Sequence, residues 1–150
     1  MHEKYIPLVA KLSHLLADSV TMKFIAHGYH WNVKGIEFSQ LHDFFGDIYE
    51  DVDGAIDPTA ELIRKLGFEA PYLLQDFQEL TCINEERASG ESMELLASLA
   101  RVNMCVIDIA KDCFAAADII DEQGVADFIA GRIDMHQKWQ WQLESSLGIR

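Results

Sequence analysis

The chain is poor in the residues that loops, disulfide frameworks and basic surfaces require. It has only 9 glycines and 3 prolines in 150 residues, which favours a compact, helix-rich protein over a loop-rich or disordered one. No apolar run approaches the roughly 20 residues of a membrane-spanning helix, and the N-terminus lacks a signal-peptide pattern. We therefore expect a cytoplasmic protein without a membrane segment. The three cysteines, Cys82, Cys105 and Cys113, fit no disulfide framework or zinc spacing, and we interpret them as reduced thiols.

Basic residues are also scarce. The 12 lysines and arginines face 25 acidic residues, which gives a formal net charge of −13. Such a surface repels DNA phosphates and attracts cations. This balance argues against DNA binding more strongly than it argues for cation handling, because acidic surfaces are common.

Hydrophobic residues make up 49% of the chain, and they recur with helical periodicity. We expect one domain, residues 1–150, large enough to bury a core. The first helix begins near Pro7, carries Val9, Leu12, Leu16, Val20 and Phe24 on its apolar face, and ends at Gly35. Further helices are predicted at 39–66, 92–121 and 125–147. The helix at 92–121 carries these apolar residues on one face: Leu95, Leu99, Val102, Val106, Ile109 and Cys113.

The connection between the second and third helices is long and either irregular or briefly helical. Four long helices with one long crossover predict an all-α, ferritin-like four-helix bundle rather than a simple up-down bundle.

Four residues stand out as metal ligands: His30, His42, Asp57 and Glu61. Two imidazoles and two carboxylates suit iron or zinc at neutral pH. Asp57 and Glu61 share a helix face, and the two histidines flank the turn at Gly35. However, Asp57 lies about 15 residues beyond His42, roughly 22 Å along a straight helix. A two-fold dimer would bring the histidines of one chain against the carboxylates of its partner. The alternative is that these residues bind no metal and are a hydrogen-bonded histidine near the edge of the core and a solvated pair of carboxylates.

The sequence around these residues resembles the Dps family, the miniferritins that protect DNA during starvation. The resemblance lies in "HWNVKG", in a second histidine twelve positions after the first, and in "DPTAELIRKLG". The segment "FQELTCINEE" resembles the part of the family that follows the second helix. The segment "DEQGVADFIAGRIDMHQKWQWQL" resembles its last helix, with Asp127, His136, Lys138, Trp141 and Leu143 in register. The likeness covers nearly the whole chain.

The resemblance implies a hollow dodecamer that binds Fe²⁺ at ferroxidase centres between two-fold-related subunits. Such cages oxidise Fe²⁺, with hydrogen peroxide preferred over O₂, store ferric mineral and limit oxidative damage. Carried over by position, His30 and His42 would be ligands from one subunit, and Asp57 and Glu61 from its neighbour, with Glu61 bridging two metals. Trp31 would lie beside the centre and quench radicals; alternatively, it is a core indole that anchors the helix end.

Two departures from the family pattern concern this centre. Gly46 stands where the family usually has an acidic residue, so the second iron position would be weak or supplied otherwise. Asp47 is rotated by about 100° from that direction and would need a bulge or a water molecule to substitute. His27, three residues before His30, is another candidate replacement, or else a surface or interface histidine.

The second departure is Pro58, inside the predicted second helix. An interior proline costs on the order of 3 kcal/mol unless the helix bends, and Gly54 would ease the clash. Alternatively, Asp57 caps a new helical segment that begins at Pro58. A capping Asp57 would turn its oxygens toward backbone amides, in competition with metal binding.

Two further acidic sets fit iron traffic, and each is equally well interpreted as a solvated face. By resemblance, the first set flanks the turn that lines three-fold pores and would draw Fe²⁺ inward: Asp118, Asp121 and Asp127. The second set would face the cavity and nucleate mineral: Asp47, Glu50 and Asp51.

Three functions therefore compete. The leading hypothesis is a ferroxidase and iron-storage cage. The second is a cage with a degraded centre that binds metal, zinc for example, without fast oxidation; Gly46 and Pro58 motivate it. The third is a DNA-coating nucleoid protein, against which the net charge of −13 argues.

Overall fold

The computed structural model describes residues 2–150, and within them it contains helices and no β-strand. A short 3₁₀ turn, His2–Tyr5, leads into the first helix. The helices are α1 (Ile6–Asn32), α2 (Phe38–Lys65), α3 (Leu74–Leu80), α4 (Ser92–Ile119) and α5 (Gln123–Leu147). Four of them are long, as predicted, and the short α3 lies in the predicted crossover. None of the helices in residues 2–150 is long and apolar enough to cross a membrane.

Two helical hairpins, α1–α2 and α4–α5, pack together mainly through α1 and α4, and α3 lies against α1. Each long helix contributes fully buried side chains to the shared core, among them Leu12, Phe45, Leu99 and Ile129. The predicted apolar face of α4 is buried, but Phe24 of α1 is 52% exposed and does not belong to the core. The ferritin-like four-helix bundle with one long crossover is confirmed.

The end of α1 is tied to the end of the crossover. The helix ends at Asn32, three residues before the glycine that was predicted to mark its end, and Gly35 adopts a positive φ of 115° in the following turn. The Lys34 N–H donates to the Gly90 carbonyl at 3.1 Å. Gly90 also has a positive φ, and a Cβ there would lie 3.1 Å from the Asn32 carbonyl oxygen. This close approach fixes the position at which the chain turns from α1 into α2.

Helix α2 runs without interruption through Pro58. The interpretation of Asp57 as the cap of a new segment is therefore wrong. Gly54, whose carbonyl loses its helical N–H partner to the proline, is exposed, and a Cβ at this position would meet no atom within 4 Å. Water can therefore satisfy the freed carbonyl, and Asp57 stays on an exposed helix face instead of turning toward backbone amides.

The crossover is held to α1 by a buried carboxylate. Asp18 is 0% exposed, and its Oδ1 accepts hydrogen bonds from the Thr81 hydroxyl at 2.6 Å and the Cys82 N–H at 2.8 Å. Its other oxygen, Oδ2, is buried without a hydrogen-bond partner in residues 2–150. Burial raises the pKa of Asp18, and the two hydrogen bonds oppose that rise. Nearby, His14 Nδ1 lies 2.8 Å from the Leu80 carbonyl oxygen. These contacts fix the end of α3.

All three cysteines are free thiols. Cys113 is buried in the core, which raises the pKa of its thiol to about 12. Burial also raises the pKa of the half-buried Cys105, while Cys82 is exposed.

Candidate metal centre

His30 in the last turn of α1 and His42 near the start of α2 meet face to face. Their ring centroids lie 3.8 Å apart, with an angle of 16° between the ring planes. The His30 Nδ1–H donates to the His42 carbonyl oxygen at 2.5 Å, and the His42 Nδ1–H donates to the His30 carbonyl oxygen at 2.7 Å. A carbonyl only accepts, so each Nδ1 carries a proton, and in the neutral form of each ring the lone pair is then on Nε2. This tautomer is the one that binds a metal through Nε2.

The end of α1 makes one of these acceptors available. Inside a helix the His30 carbonyl would accept the N–H four residues later, but the Lys34 N–H is bonded to Gly90. The His30 carbonyl is thus one of the unpaired acceptors at a helix end, and His42 satisfies it. The link between α1 and the crossover therefore helps to set the tautomer of His42.

Gly46 lies against the Nδ1–Cε1 edge of the His30 ring. A Cβ at this position would stand 2.9 Å from His30 Nδ1 and 3.0 Å from Cε1, closer than side-chain carbons approach in folded proteins. The place where the family resemblance predicts an acidic side chain is therefore filled by the imidazole. Asp47, the proposed substitute, is exposed and makes no hydrogen bond or ion pair in the part of the chain that the structure describes.

His27 lies in an aromatic cluster beside the histidine pair. Its ring stacks on Tyr49 with a centroid distance of 3.7 Å and contacts Trp31 at 4.0 Å. The His30 ring is farther away, at 6.0 Å. His27 is half-buried, and its role as a replacement ligand stays a prediction. The motif around "HWNVKG" does not indicate that Tyr49 takes part in this cluster.

Trp31 is 63% exposed in the protomer, so the alternative of a core indole is wrong. Its neighbours after the turn are also apolar and exposed: Ile36 is 97% and Phe38 42% exposed. Phe38 also stacks on His42, with ring centroids 5.0 Å apart. The histidine pair is thus flanked by apolar side chains that a single protomer leaves in solvent.

Asp57 and Glu61 lie on an exposed face of α2, several turns away from His42. Within residues 2–150, no three histidine, cysteine or acidic side chains come close enough together to hold a metal ion. The protomer therefore brings His30 and His42 together, and it leaves Asp57 and Glu61 apart from them.

A partly buried salt bridge links α2 and α5. Arg132 of α5 makes two hydrogen bonds of 2.9 Å with the carboxylate of Asp51 on α2. The Trp139 indole N–H donates to the same carboxylate at 2.8 Å. Burial alone would raise the pKa of Asp51, but these two donors and the positive charge of Arg132 together lower it. Within the set considered for nucleation, the Asp51 carboxylate is paired with Arg132, whereas Glu50 and Asp47 are exposed. The nucleation role of this set stays a prediction.

The same network continues to His136, which is 2% exposed. Its Nδ1–H donates to Asn103 Oδ1 at 2.7 Å, and its Nε2 accepts from Arg132 at 3.1 Å. Asn103 Nδ2 donates to the His136 carbonyl at 2.8 Å and to Gln140 Oε1 at 2.9 Å. Burial, and then the charge of Arg132, lower the pKa of His136 to about 3. The centre of the bundle thus holds a neutral imidazole whose ring nitrogens are both occupied.

Asp118, Asp121 and Asp127 are exposed around the turn between α4 and α5. The Asp121 N–H donates to the Asp118 carbonyl at 3.1 Å, and Asp121 has a positive φ of 60°. Their role at a pore stays a prediction.

Comparison with known proteins agrees with this architecture. The family model described as a ferritin-like domain matches residues 9–149. A DNA protection during starvation protein of Helicobacter pylori is 28% identical over 91% of this chain and 95% of its own length. A low temperature-induced protein of Nostoc is 30% identical over 87% of this chain and 74% of its own length. The structure of a Vibrio cholerae Dps protein superposes with a TM-score of 0.93 at 25% identity, over 97% of this chain and 92% of that one. This chain therefore belongs to the Dps family of ferritin-like proteins.

Proposed function

We propose that this chain forms a cytoplasmic, dodecameric cage that oxidises Fe²⁺ at centres shared between subunits and stores the ferric product. The observation that carries the proposal is the reciprocal hydrogen bonding of His30 and His42, which frees both Nε2 atoms for a metal. Family membership supports iron as the substrate, since the Vibrio cholerae relative is described as a ferritin-like diiron-carboxylate protein.

The residues of such a centre have separate tasks. The neutral imidazoles of His30 and His42 would bind Fe²⁺, and Asp57 and Glu61 of the partner subunit would stabilise Fe³⁺ as its charge rises. Two Fe²⁺ give up one electron each to one H₂O₂, which takes up two protons and leaves as two waters. Peroxide is therefore consumed at about half an equivalent per Fe²⁺, and both reactants of hydroxyl-radical chemistry are removed.

The exposed surroundings of the histidine pair support a centre between subunits. Trp31 and Ile36 beside the pair are largely exposed, and exposed apolar side chains clustered on one surface are typical of interfaces. A two-fold axis would cover them while it places the partner's Asp57 and Glu61 opposite the imidazoles.

Mixed cages test the shared centre directly. One variant carries His30→Ala with His42→Ala, and the other carries Asp57→Asn with Glu61→Gln. Each variant alone should lose rapid Fe²⁺ oxidation. When the two are co-expressed, about half of the dimers are mixed and each mixed dimer keeps one of its two centres, so about a quarter of the wild-type activity should return.

A centre formed within one protomer would give no activity in the co-expressed cages, and that result would refute the proposal. The two variants purified separately and mixed without subunit exchange serve as the inactive control. Glu69→Gln, which removes an exposed acid beyond the end of α2, should oxidise Fe²⁺ like the wild type.

A degraded centre is the second candidate, and Gly46 is the observation that favours it, since this position supplies no ligand. It predicts metal binding with slow oxidation. Rapid peroxide-dependent oxidation by the wild-type cage, lost in His42→Ala, would exclude it. The degraded centre would be established if the cage bound zinc tightly and oxidised Fe²⁺ no faster than buffer alone.

A further inference from the structure

We propose that Gly46 is a positioning residue of the metal centre, and that the absence of a side chain there is what lets His30 present its Nε2. This inference rests on the proposed function. The sequence alone suggests that Gly46 marks a missing acidic ligand. In this inference the centre instead requires a glycine at position 46.

The His30 ring has little freedom to move away from position 46. One of its faces is covered by the His42 ring at a centroid distance of 3.8 Å, and its Nδ1 is held at 2.5 Å from the His42 carbonyl oxygen. The atoms that a Cβ at position 46 would meet are Nδ1 itself, at 2.9 Å, and Cε1, at 3.0 Å. Any side chain at position 46 therefore displaces the very atom that makes the hydrogen bond.

Losing that hydrogen bond would change the chemistry of His30. An imidazole whose Nδ1 has no acceptor is free to carry its proton on Nε2, which then has no lone pair for a metal. Partners that hold the second ring nitrogen of a metal-binding histidine typically change metal affinity by about 10–100-fold when they are removed. An acidic residue at position 46 would thus weaken the imidazole site while it adds a carboxylate.

Gly54 provides a matched control on the same helix. It is exposed, and a Cβ there meets no atom within 4 Å. A Gly54→Ala substitution therefore changes helix propensity in the same way as Gly46→Ala, without contact to the histidine pair.

The test is a titration of the assembled protein with Co²⁺, which does not require oxidation, followed by its visible absorption. We expect Gly46→Ala and Gly46→Asp to bind Co²⁺ about 10–100-fold more weakly than the wild type, and Gly54→Ala to bind like the wild type. The inference would be overturned if Gly46→Asp bound Co²⁺ as tightly as the wild type, or if it bound additional Co²⁺ per subunit.

Failure of the underlying function has a different signature. If the wild type and His42→Ala bind Co²⁺ equally, the histidine pair is no metal site and both proposals fall. If binding depends on His42 but Gly46→Ala binds as well as the wild type, only the role of Gly46 is refuted.

A second measurement covers the case in which Gly46→Ala folds poorly. Its melting temperature is compared in the wild-type and His30→Ala backgrounds, which isolates the coupling between the two positions. Gly46→Ala should lower the melting temperature when His30 is present. When His30 is absent, Gly46→Ala should raise the melting temperature, as is also expected for Gly54→Ala, because alanine is the better helix former. Equal losses in both backgrounds would contradict a contact with His30.

Discussion

Individual buried side chains make the stability of this protein sensitive to acid. The pKa of His136 is lowered to about 3, whereas an imidazole in the unfolded chain titrates near pH 6.5. Between these values the unfolded chain binds a proton that the native state does not bind. The free energy of unfolding should therefore fall by about 1.4 kcal/mol per pH unit as the pH drops below 6.5. Urea unfolding at pH 7, 6 and 5, above the range of most carboxylates, measures this slope.

The variant His136→Gln removes this titration. It should be less stable at pH 7, since it disturbs the network with Asn103 and Arg132, but its stability should vary less between pH 7 and pH 5. A slope unchanged from that of the wild type would show that another group is responsible.

Stability should also depend on the carboxylate of Asp51. In Asp51→Ala, the Arg132 guanidinium and the Trp139 N–H lose their acceptor, and the arginine side chain is only 14% exposed. Removal of one partner from a fully buried ion pair costs about 3–5 kcal/mol, and since the Asp51 side chain is 22% exposed we expect about 2–3 kcal/mol here. Chemical denaturation should show a loss of this size, while Glu50→Ala at an exposed neighbouring position should change stability by about 0.5 kcal/mol or less. Equal effects of the two variants would argue against the importance of the network.

The sequence indicated that His30 and His42 approach each other, because both flank one turn. It did not indicate what holds them. The acceptors are backbone carbonyls, which every residue carries, so no side-chain pattern marks them. The role of Gly46 was missed for the same reason: a ring packed against a glycine leaves no trace in a single sequence. Asn103 and His136 were detectable only as polar residues within apolar helix faces, without any sign that they pair.

Among the elements, the crossover depends on one carboxylate of α1. In Asp18→Ala, the Thr81 hydroxyl and the Cys82 N–H lose their acceptor, and we expect a loss of about 2 kcal/mol in stability. Asp18→Asn keeps an oxygen acceptor and should lose less. Hydrogen exchange of α3 should accelerate in Asp18→Ala more than that of α5 does. Uniform acceleration throughout the bundle would contradict a local anchoring role.

The pH response of Asp18 has the opposite sign to that of His136. Since burial raises the pKa of Asp18, the native state takes up a proton at a pH at which the unfolded chain is still ionised. This carboxylate therefore adds stability as the pH falls through its raised pKa toward 3.8, and Asp18→Asn removes that contribution.

Periodicity predicted the four long helices to within a few residues, because long amphipathic stretches bury their apolar faces in any bundle. The interpretation of Pro58 as a boundary failed since it ignored exposure. An interior proline is tolerated where the freed carbonyl, here that of Gly54, faces water. The short α3 has no buried residue, so it carries little apolar pattern from which a helix of its length can be predicted.

The exposed apolar patch beside the histidines predicts assembly through that surface. Ile36 is 97% exposed in the protomer, so Ile36→Asp would leave the monomer fold intact while it places a charge in the proposed interface. Light scattering should show smaller particles for Ile36→Asp, with helical content unchanged by circular dichroism. Glu37→Asp, at an exposed neighbouring position, is the matched control and should assemble like the wild type. Wild-type particle size in Ile36→Asp would place the interface elsewhere.

The negative charge of the chain should prevent DNA binding. With a net charge of −13, the metal-free protein should not retard duplex DNA in gels at about 0.15 M salt, since phosphate contacts need basic residues. Retardation under these conditions would revive the DNA-coating hypothesis. The sequence alone could not give the size of the shell or the pore geometry, since both depend on contacts between copies that no intrachain pattern encodes.

The salt bridge between Asp51 and Arg132, with the neutral His136 beside it, has a consequence for when the chain becomes active. Every imidazole nitrogen and carboxylate oxygen of this network is already hydrogen-bonded. In the proposed cage, a newly synthesised chain would therefore have no free metal ligand in this network. Oxidation of Fe²⁺ would then begin only when two subunits have paired, and single unpaired chains would form no ferric mineral.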